Sequence, residues 1–382
     1  MKKKVCLKRV THFEGVILGE VRFVGRRCSF YEGLPSKTVL VACNGSRFSD
    51  LGLVKDMDLG WAKFFYARLP GDWRGFYDEY LYERDLPVFC GFALDGMAVE
   101  FRTAKTGREI LVVSEKAWHG RREEVKSFLL EAGYAFPEEK LGELDFTLTL
   151  GGDPEFEAYV DGDVVPAVDI LIFRKGGYDS PIGLDGAWCA VELRPAPAYS
   201  PEEYAENFLA LVERVREKGI LLSVQGDRFA LGGHIHIGSP NPFVARVLRE
   251  GAHSFIQALD DFVGRVLLPT SGKARGEYKC LGAYEIKNYG WEYKTPPSSF
   301  YADLEAVRIT FKLVRNLVES LLRERELSYE VLANGRVKPE EYHRFLTPQE
   351  TEYFLGFPER WARGEVSPFV PMETPAVSAA AG

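Results

Sequence analysis

Leu144-Asp145-Phe146-Thr147-Leu148-Thr149-Leu150-Gly151-Gly152-Asp153-Pro154-Glu155-Phe156-Glu157 is the stretch on which the reading of this chain turns. Apolar and polar residues alternate from Leu144 to Leu150, the period-two signature of a half-buried strand. The strand runs into two glycines and then three acids spaced two apart. In an extended segment Asp153, Glu155 and Glu157 leave the same face, about 6 to 7 Å apart along the strand. Carboxylates so spaced suit Mg²⁺ or Mn²⁺ held together with phosphates. Pro154 donates no ladder hydrogen bond, which places the segment at a strand start or a sheet edge. Acidic residues usually lie in solvent, so the weight of the reading falls on what accompanies them.

Three further short strands carry chemistry. Val191-Glu192-Leu193-Arg194-Pro195 puts an acid and a cation on one face, where the plain alternative is a pair that satisfies itself. Gly232-Gly233-His234-Ile235-His236-Ile237-Gly238 does the same with two of the chain's six histidines, flanked by glycines that let a ligand or another backbone come close. Trp291-Glu292-Tyr293-Lys294-Thr295-Pro296-Pro297 repeats the acid-x-cation pattern. A His-x-His pair also serves Zn²⁺ hydrolases. Those need a third nitrogen or sulfur ligand, and neither His253 nor His343 is well placed in the sequence to supply one. The conjunction of four such strands carries more than any one of them.

Outward from this centre, the 382 residues suffice for two domains, and 46% hydrophobic content can sustain their cores. Short β-segments punctuated by Gly, Pro and Asp fill residues 1 to about 118, at 5–10, 16–24, 38–43, 88–92 and 110–114. A helix with Val125, Phe128, Leu129 and Ala132 on one face closes them. The predicted organisation is a β-rich N-terminal domain over 1–140, an α+β domain over 144–363 and a disordered tail over 364–382. In the second domain Ser200-Pro201-Glu202-Glu203 opens a helix with a capping box. Long helices are expected at about 242–267 and 302–324, the latter with Leu304, Val307, Phe311, Val314, Val318 and Leu321 inward.

The formal net charge of −8 argues against non-specific nucleic-acid binding. No segment is long and apolar enough for a membrane span. Cys6, Cys28, Cys43, Cys90, Cys189 and Cys280 are scattered without a paired spacing, as reduced thiols would be. These features predict a cytoplasmic protein, and its poverty in Asn and Gln is the depletion seen in thermophiles.

In order, G-x-D-P-E-F, E-L-R-P-x-P, G-G-H-I-H-I-G and E-Y-K-T-P-P-S resemble the amidoligases of bacteriophages and prokaryotes, in the glutamine synthetase and glutamate–cysteine ligase superfamily. The resemblance spans about 144–325. It implies a glutamine synthetase-like antiparallel sheet with packed helices, and ATP with Mg²⁺ or Mn²⁺ as cofactors. It further implies Asp153, Glu155, Glu192, His234 and Glu292 as metal ligands, His236 facing a phosphate, and Arg194 facing phosphates or a substrate carboxylate. Where the superfamily commonly has Arg, this chain has Lys294, a point charge without the bidentate fork. Lys273, Arg275, Lys279 and Lys287 lie just before it, and Arg275 and Lys287 are the candidates for phosphate contact. The implied activity is a carboxylate–amine ligase working through an acyl phosphate. Arg194 and Lys294 would then stabilise developing charge, and Glu157 would take the amine's proton. A metal-dependent hydrolase and an inactive scaffold are the rival readings. The carboxylate and amine partners extend to peptides or proteins, and oligomer formation is open.

Overall fold

The computed structural model describes residues 1–7, 16–23, 38–44, 47–48, 63–68, 87–93, 98–103, 109–131, 146–177, 180–186, 189–273 and 280–370. It divides into two compact units. One comprises Met1–Lys8, Phe146–Pro240 and Gly251–Gly382, and the other Arg9–Asp145 with Asn241–Glu250. Helices and predominantly antiparallel sheets make a mixed architecture, as the sequence predicted.

Strand β1 (Lys2–Cys6) belongs to the first unit, where it pairs antiparallel with a strand near the other end of the chain, as given below. The strand predicted at 5–10 thus starts three residues earlier than expected and does not sit with the β-rich region. The second unit holds β2 (Val16–Phe23), β3 (Thr38–Asn44), β4 (Arg47–Phe48), β5 (Lys63–Arg68), β6 (Pro87–Ala93), β7 (Ala98–Thr103) and β8 (Glu109–Ser114). They form one seven-stranded sheet in the order β4-β3-β5-β2-β8-β7-β6, parallel only between β2 and β8. Strands β4, β5 and β7 escaped the sequence reading. The helix Arg122–Glu131 follows, with Val125 and Leu129 buried.

In the first unit two sheets share the chemistry-bearing strands. One contains β9 (Thr149–Gly152), β15 (Ile235–Gly238), β16 (Tyr284–Lys287) and β17 (Gly290–Tyr293), in the order β16-β17-β15-β9. The other contains β10 (Glu155–Val160), β11 (Asp163–Val165), β12 (Ile182–Leu184), β13 (Val191–Leu193) and β14 (Leu221–Ser223). Its order is β11-β10-β13-β12, with β14 also paired to β10. Strand β18 (Glu326–Glu330) is the partner of β1.

Helices cover these sheets through apolar stripes of period 3.6. The helix Pro201–Arg216 starts where predicted, with the Ser200 side chain accepting from the Glu203 amide, and buries Tyr204, Phe208, Leu211, Val212 and Val215. Glu203 reaches back to the amide of Tyr199, one residue earlier than a standard capping box requires. Phe208 packs on Phe156 of β10 and on Tyr301, joining helix, sheet and the turn before the next helix in one aromatic core. That helix, Leu304–Glu324, is capped by Asp303 and closed by Arg325 in the left-handed conformation, and it buries all six predicted inward residues.

Two predicted elements differ. The single long helix expected over 242–267 is broken. Pro242–Glu250 ends before Gly251, a new helix runs Ala252–Leu259, and Asp260–Gly264 forms a π-turn before Arg265–Leu267. Buried acids at 260 and 261 call for polar partners that a regular turn would not present to them. Part of the predicted tail, 364–370, lies within the described residues and is ordered. Val224 donates to Pro368 O, Val370 donates to Leu222 O, and the Phe369 ring meets Tyr159 edge-on, so 364–370 is docked; 371–382 lie outside the described residues. Among the described residues no helix is long and apolar enough to cross a membrane.

Candidate active site

The chain leaves β9 at Gly152, turns through Asp153 and Pro154, and enters β10 in the second sheet. Pro154 costs nothing at this crossing, because its missing N–H is not needed while its carbonyl accepts from the Leu193 amide at 3.1 Å. Register then brings the remaining motifs together. Glu155 lies directly opposite Glu192, and His236 directly opposite Glu292, with Gly151 on its other side. Glu155 also holds the Gly-Gly segment in place: its amide donates to Gly232 O at 2.9 Å, and its Oε2 accepts from the Gly232 amide at 2.6 Å.

Asp153 is the centre of the cluster. Its Oδ1 lies 3.1 Å from His234 Nδ1 and 3.0 Å from His236 Nε2, and His234 Nδ1 is also 3.1 Å from Glu292 Oε1. The ligand atoms of Asp153, His234 and Glu292 all lie within 4.8 Å of one another, the spacing of groups that share one cation. Two observations fit such an ion. Glu292 is 1% exposed, and its Oε1 receives no well-directed hydrogen bond, although buried carboxylate oxygens normally have one. Acid is also crowded around it. Burial, and then the charges of Asp153 and Glu155, push Glu192 up to about 8. Burial raises Glu155 as well, with Asp185 and Asp153 adding to it. The mixed oxygen and imidazole donor set accepts Mg²⁺ or Mn²⁺.

Burial alone would raise Asp153, yet the charges of His236 and His234 hold it well below the usual carboxylate range. Glu292 is brought to about 2 by His234 against the same burial penalty. Reciprocally, Asp153 and Glu292 raise His234 well above the imidazole norm despite its burial. His234 thereby brings positive charge to the carboxylates around it.

Two lysines extend the network. Lys287 Nζ is 2.7 Å from Glu292 Oε2 and 3.0 Å from Glu285, while Lys294 Nζ is 3.3 Å from Glu292 Oε1 and 2.9 Å from Glu285. Burial opposes both charges, but the two glutamates prevail, lifting Lys287 and pushing Lys294 up to about 12. Glu285, which the sequence reading missed, bridges them from β16.

Arg194 is more committed than expected. Its Nε pairs with Glu192 at 2.8 Å, and its two terminal nitrogens donate to Ser180 O and Leu184 O. The self-satisfied Glu–Arg pair is realised here, with the guanidinium edge still bordering the cleft described below.

Glu157 departs from the predicted proton acceptor. It is fully buried and Oε1 accepts from the amides of Arg228 and Phe229 at 2.7 and 3.1 Å. It anchors a loop, because on β10 it is already paired with Ser223 of β14, past the point where β13 ends its pairing. Arg275 and Lys279 lie outside the described residues. Lys273 is exposed and pairs with Asp227 at 3.5 Å.

Beside the cluster opens a cleft of about 460 Å³. Asp153, Arg194 and His236 border it, Gly151, Gly152 and Gly238 offer it backbone, and Pro195, Pro197, Pro240 and Tyr289 give it apolar walls. Its size and its few polar groups are those of a small-molecule site. Gly152 is required by packing beneath: a Cβ there would lie 2.5 Å from the Tyr204 hydroxyl, which is bonded to Tyr301.

Gly232 is stricter still, since a Cβ would lie 2.2 Å from His234 Nε2. Gly232→Ala is therefore expected to displace the His234 ring and weaken divalent-cation binding by about tenfold or more, at a stability cost of about 1–3 kcal/mol. Calorimetric Mn²⁺ titration beside a urea melt measures both, and unchanged Mn²⁺ affinity would show that His234 is not a ligand.

An acid- and histidine-rich cluster beside a cleft, carried on antiparallel strands, makes a candidate enzyme site. The chain belongs to the phage phiEco32-like COOH.NH2 ligase-type 2 family, whose model matches residues 150–343. It is therefore a member of a carboxylate–amine ligase family, and all four motif strands fall within the matched region. No curated protein matches it. Among solved structures it is similar to a bifunctional glutathione synthetase from Pasteurella multocida, at 12% identity and a TM-score of 0.33, over 49% of this chain and 41% of that one. The chain thus spans less than half of that enzyme's length.

Proposed function

We propose that this chain is an ATP- and Mg²⁺-dependent (or Mn²⁺-dependent) amidoligase of glutamine synthetase-like fold, acting through an acyl phosphate. The observation that carries the reading is the meeting of Asp153, His234, Glu292, Glu155 and Glu192 from two sheets at the edge of a cleft. A divalent cation held by Asp153, His234 and Glu292, with Glu155 and Glu192 beside it, would neutralise triphosphate charge that otherwise repels a carboxylate. A carboxylate oxygen attacks the γ-phosphorus and ADP leaves; an amine then attacks the acyl carbon, phosphate leaves, and the nitrogen gives up a proton.

The chain's own groups serve these steps in distinct ways. Lys287 and Lys294 carry firmly protonated charge toward the transferring group, where fixed cations stabilise negative charge better than reorganising water. His236 faces the cleft as a phosphate contact. Arg194, held by two carbonyls, shapes one wall and presents its charge without moving. Glu157 is too enclosed to accept the amine's proton, and Asp153 is the one carboxylate lining the cleft among the described residues.

We assign catalysis to the unit of Met1–Lys8, Phe146–Pro240 and Gly251–Gly382, which carries the acid and histidine cluster, with peptide or protein substrates in view. The test is phosphate and ADP release from purified protein given ATP, Mg²⁺, a carboxylate and an amine, each omitted in turn. Release only with all four supports the ligase. Turnover without ATP would favour a metal-dependent hydrolase, and no ATP binding by folded protein would favour a scaffold.

A further inference from the structure

The sheet that presents Glu292 to the cluster has a second face. Tyr293 follows Glu292 on β17, so its side chain leaves on the opposite side, where its hydroxyl donates to Asp260 Oδ1 at 2.8 Å. A Cβ at Gly264 would lie 2.5 Å from that hydroxyl and 3.1 Å from Leu281 Cδ2, and Leu281 is one wall of a further cavity of about 410 Å³. Leu268 and Pro269 continue the apolar wall, and Arg265, Asn334 and Arg336 make the polar side. Among the described residues this cavity shares no lining residue with the cleft, and no carboxylate lines it.

We propose that this cavity is a second small-molecule site, which takes a compact organic oxyanion, a carboxylate or phosphate on an apolar body, between Arg265 and Arg336. The two arginines come from segments distant in sequence, and each segment is held in place. Asp261 accepts from Arg265 Nε at 3.0 Å, fixing one edge of the guanidinium and leaving its terminal nitrogens for the cavity. Its Nη1 reaches the turn that carries Arg336, since a Cβ at Gly335 would lie 4.0 Å from it. That turn is closed by Val331 opposite Val337 and by the Leu332 amide donating to Arg336 O at 2.7 Å. Asn334 Oδ1 accepts from the Arg336 amide at 3.1 Å, which leaves the Asn334 NH₂ group to donate to a ligand. Ser271 also lines the cavity but spends its hydroxyl on Leu268 O. Two guanidiniums bordering one space repel each other, and an anion between them turns that repulsion into attraction. Their planar forks match the paired oxygens of a carboxylate or phosphate. The volume is that of a small-molecule pocket, and Leu268, Pro269 and Leu281 offer the body of such a ligand an apolar surface. None of this depends on the cation cluster or on the ligase reading.

The experiment titrates the full chain, in buffer free of divalent cations, with phenyl phosphate and with benzoate, which share an apolar body and differ in the oxyanion. Inorganic phosphate and phenol supply the two halves separately. At least one of the complete probes is expected to bind with a Kd of about 1 mM or tighter, and more tightly than either half. Arg336→Gln should weaken that binding about tenfold, the loss of a charge-assisted contact. Arg336 is exposed, so this variant is expected to keep the fold, which a urea melt checks. Asp153→Asn, at the cation cluster, should change the affinity less than twofold, about the additivity limit of independent sites. A preference for phenyl phosphate or for benzoate upholds the site and identifies its head group. No binding of either probe, an affinity indifferent to Arg336→Gln, or a loss in Asp153→Asn as large as in Arg336→Gln overturns the proposal. Inorganic phosphate bound as tightly as phenyl phosphate overturns the ligand class.

Discussion

Asp153→Asn is expected to weaken Mn²⁺ binding by about 100-fold or more, equivalent to about 2.8 kcal/mol, while leaving the fold intact. The substitution keeps Oδ1, which both His234 Nδ1 and His236 Nε2 approach, so the local hydrogen bonds have a neutral replacement. What disappears is the charge at the centre of the cluster. Its loss also reverses the local electrostatics. The Asp153 charge adds to the burial that pushes Glu192 up to about 8, and its hydrogen bond helps raise His234 despite burial. In the metal-free variant Glu192 should therefore titrate lower and His234 should lose its proton at lower pH than in the wild type. Isothermal titration with Mn²⁺, followed by Mg²⁺-ATP, measures the first effect, and histidine NMR the second. Wild-type Mn²⁺ affinity in Asp153→Asn would remove Asp153 from the ligand set.

Asp261→Ala is expected to cost about 3 kcal/mol of stability, at the lower end for a broken buried ion pair because both cations keep some access to water. Asp261, 3% exposed on the π-turn, accepts from Lys3 Nζ, Arg265 Nε and the Tyr329 hydroxyl at 2.7, 3.0 and 2.6 Å. It thereby ties β1 and β18 to the helix beneath them. Burial would raise its pKa, but Lys3, Tyr329 and Arg265 together hold it below the usual carboxylate value. A carboxylate depressed in the folded state contributes stability that is fully present above its unfolded pKa of about 3.9 and is lost as pH falls toward the folded one. Neighbouring Asp260 is raised by its burial and acts in the opposite sense, so the comparison must be wild type against Asp261→Asn. Urea melts at pH 7 and pH 3 should show a larger gap between the two proteins at the higher pH than at the lower. A gap of the same size at both would mean that packing, and not charge, accounts for the loss.

The π-turn shows where local reading of this chain stops. The apolar period from 242 to 267 is continuous enough to predict one helix, and nothing within that window announces that Asp260 and Asp261 will be buried. Their partners, Tyr293 and nearby Thr295 for Asp260, and Lys3 and Tyr329 for Asp261, lie on or just past strands distant in sequence. Glu157 fails for the same reason. Period two puts it on the face of Asp153 and Glu155, but β10 changes neighbour from β13 to β14 along its length, so Glu157 meets a different loop. Tyr289 carried no signal beyond its place in a turn, and Glu285 none beyond an isolated acid on a short strand.

The sequence by itself determined the strands that bear the chemistry, the capped helices and the identity of the acids and histidines that converge. Those features follow from backbone periodicity, capping and side-chain chemistry, all set within a few residues. Only the tertiary structure decided which of them lie within reach of one another, that Arg194 is held by carbonyls of its own chain, that Glu157 secures a loop, and that the two histidines present different nitrogens to Asp153. Strand register and sheet order govern these choices, and they arise from pairings between residues far apart in the chain, such as Gly152 with Ile235 and His236 with Glu292, which no local pattern can encode.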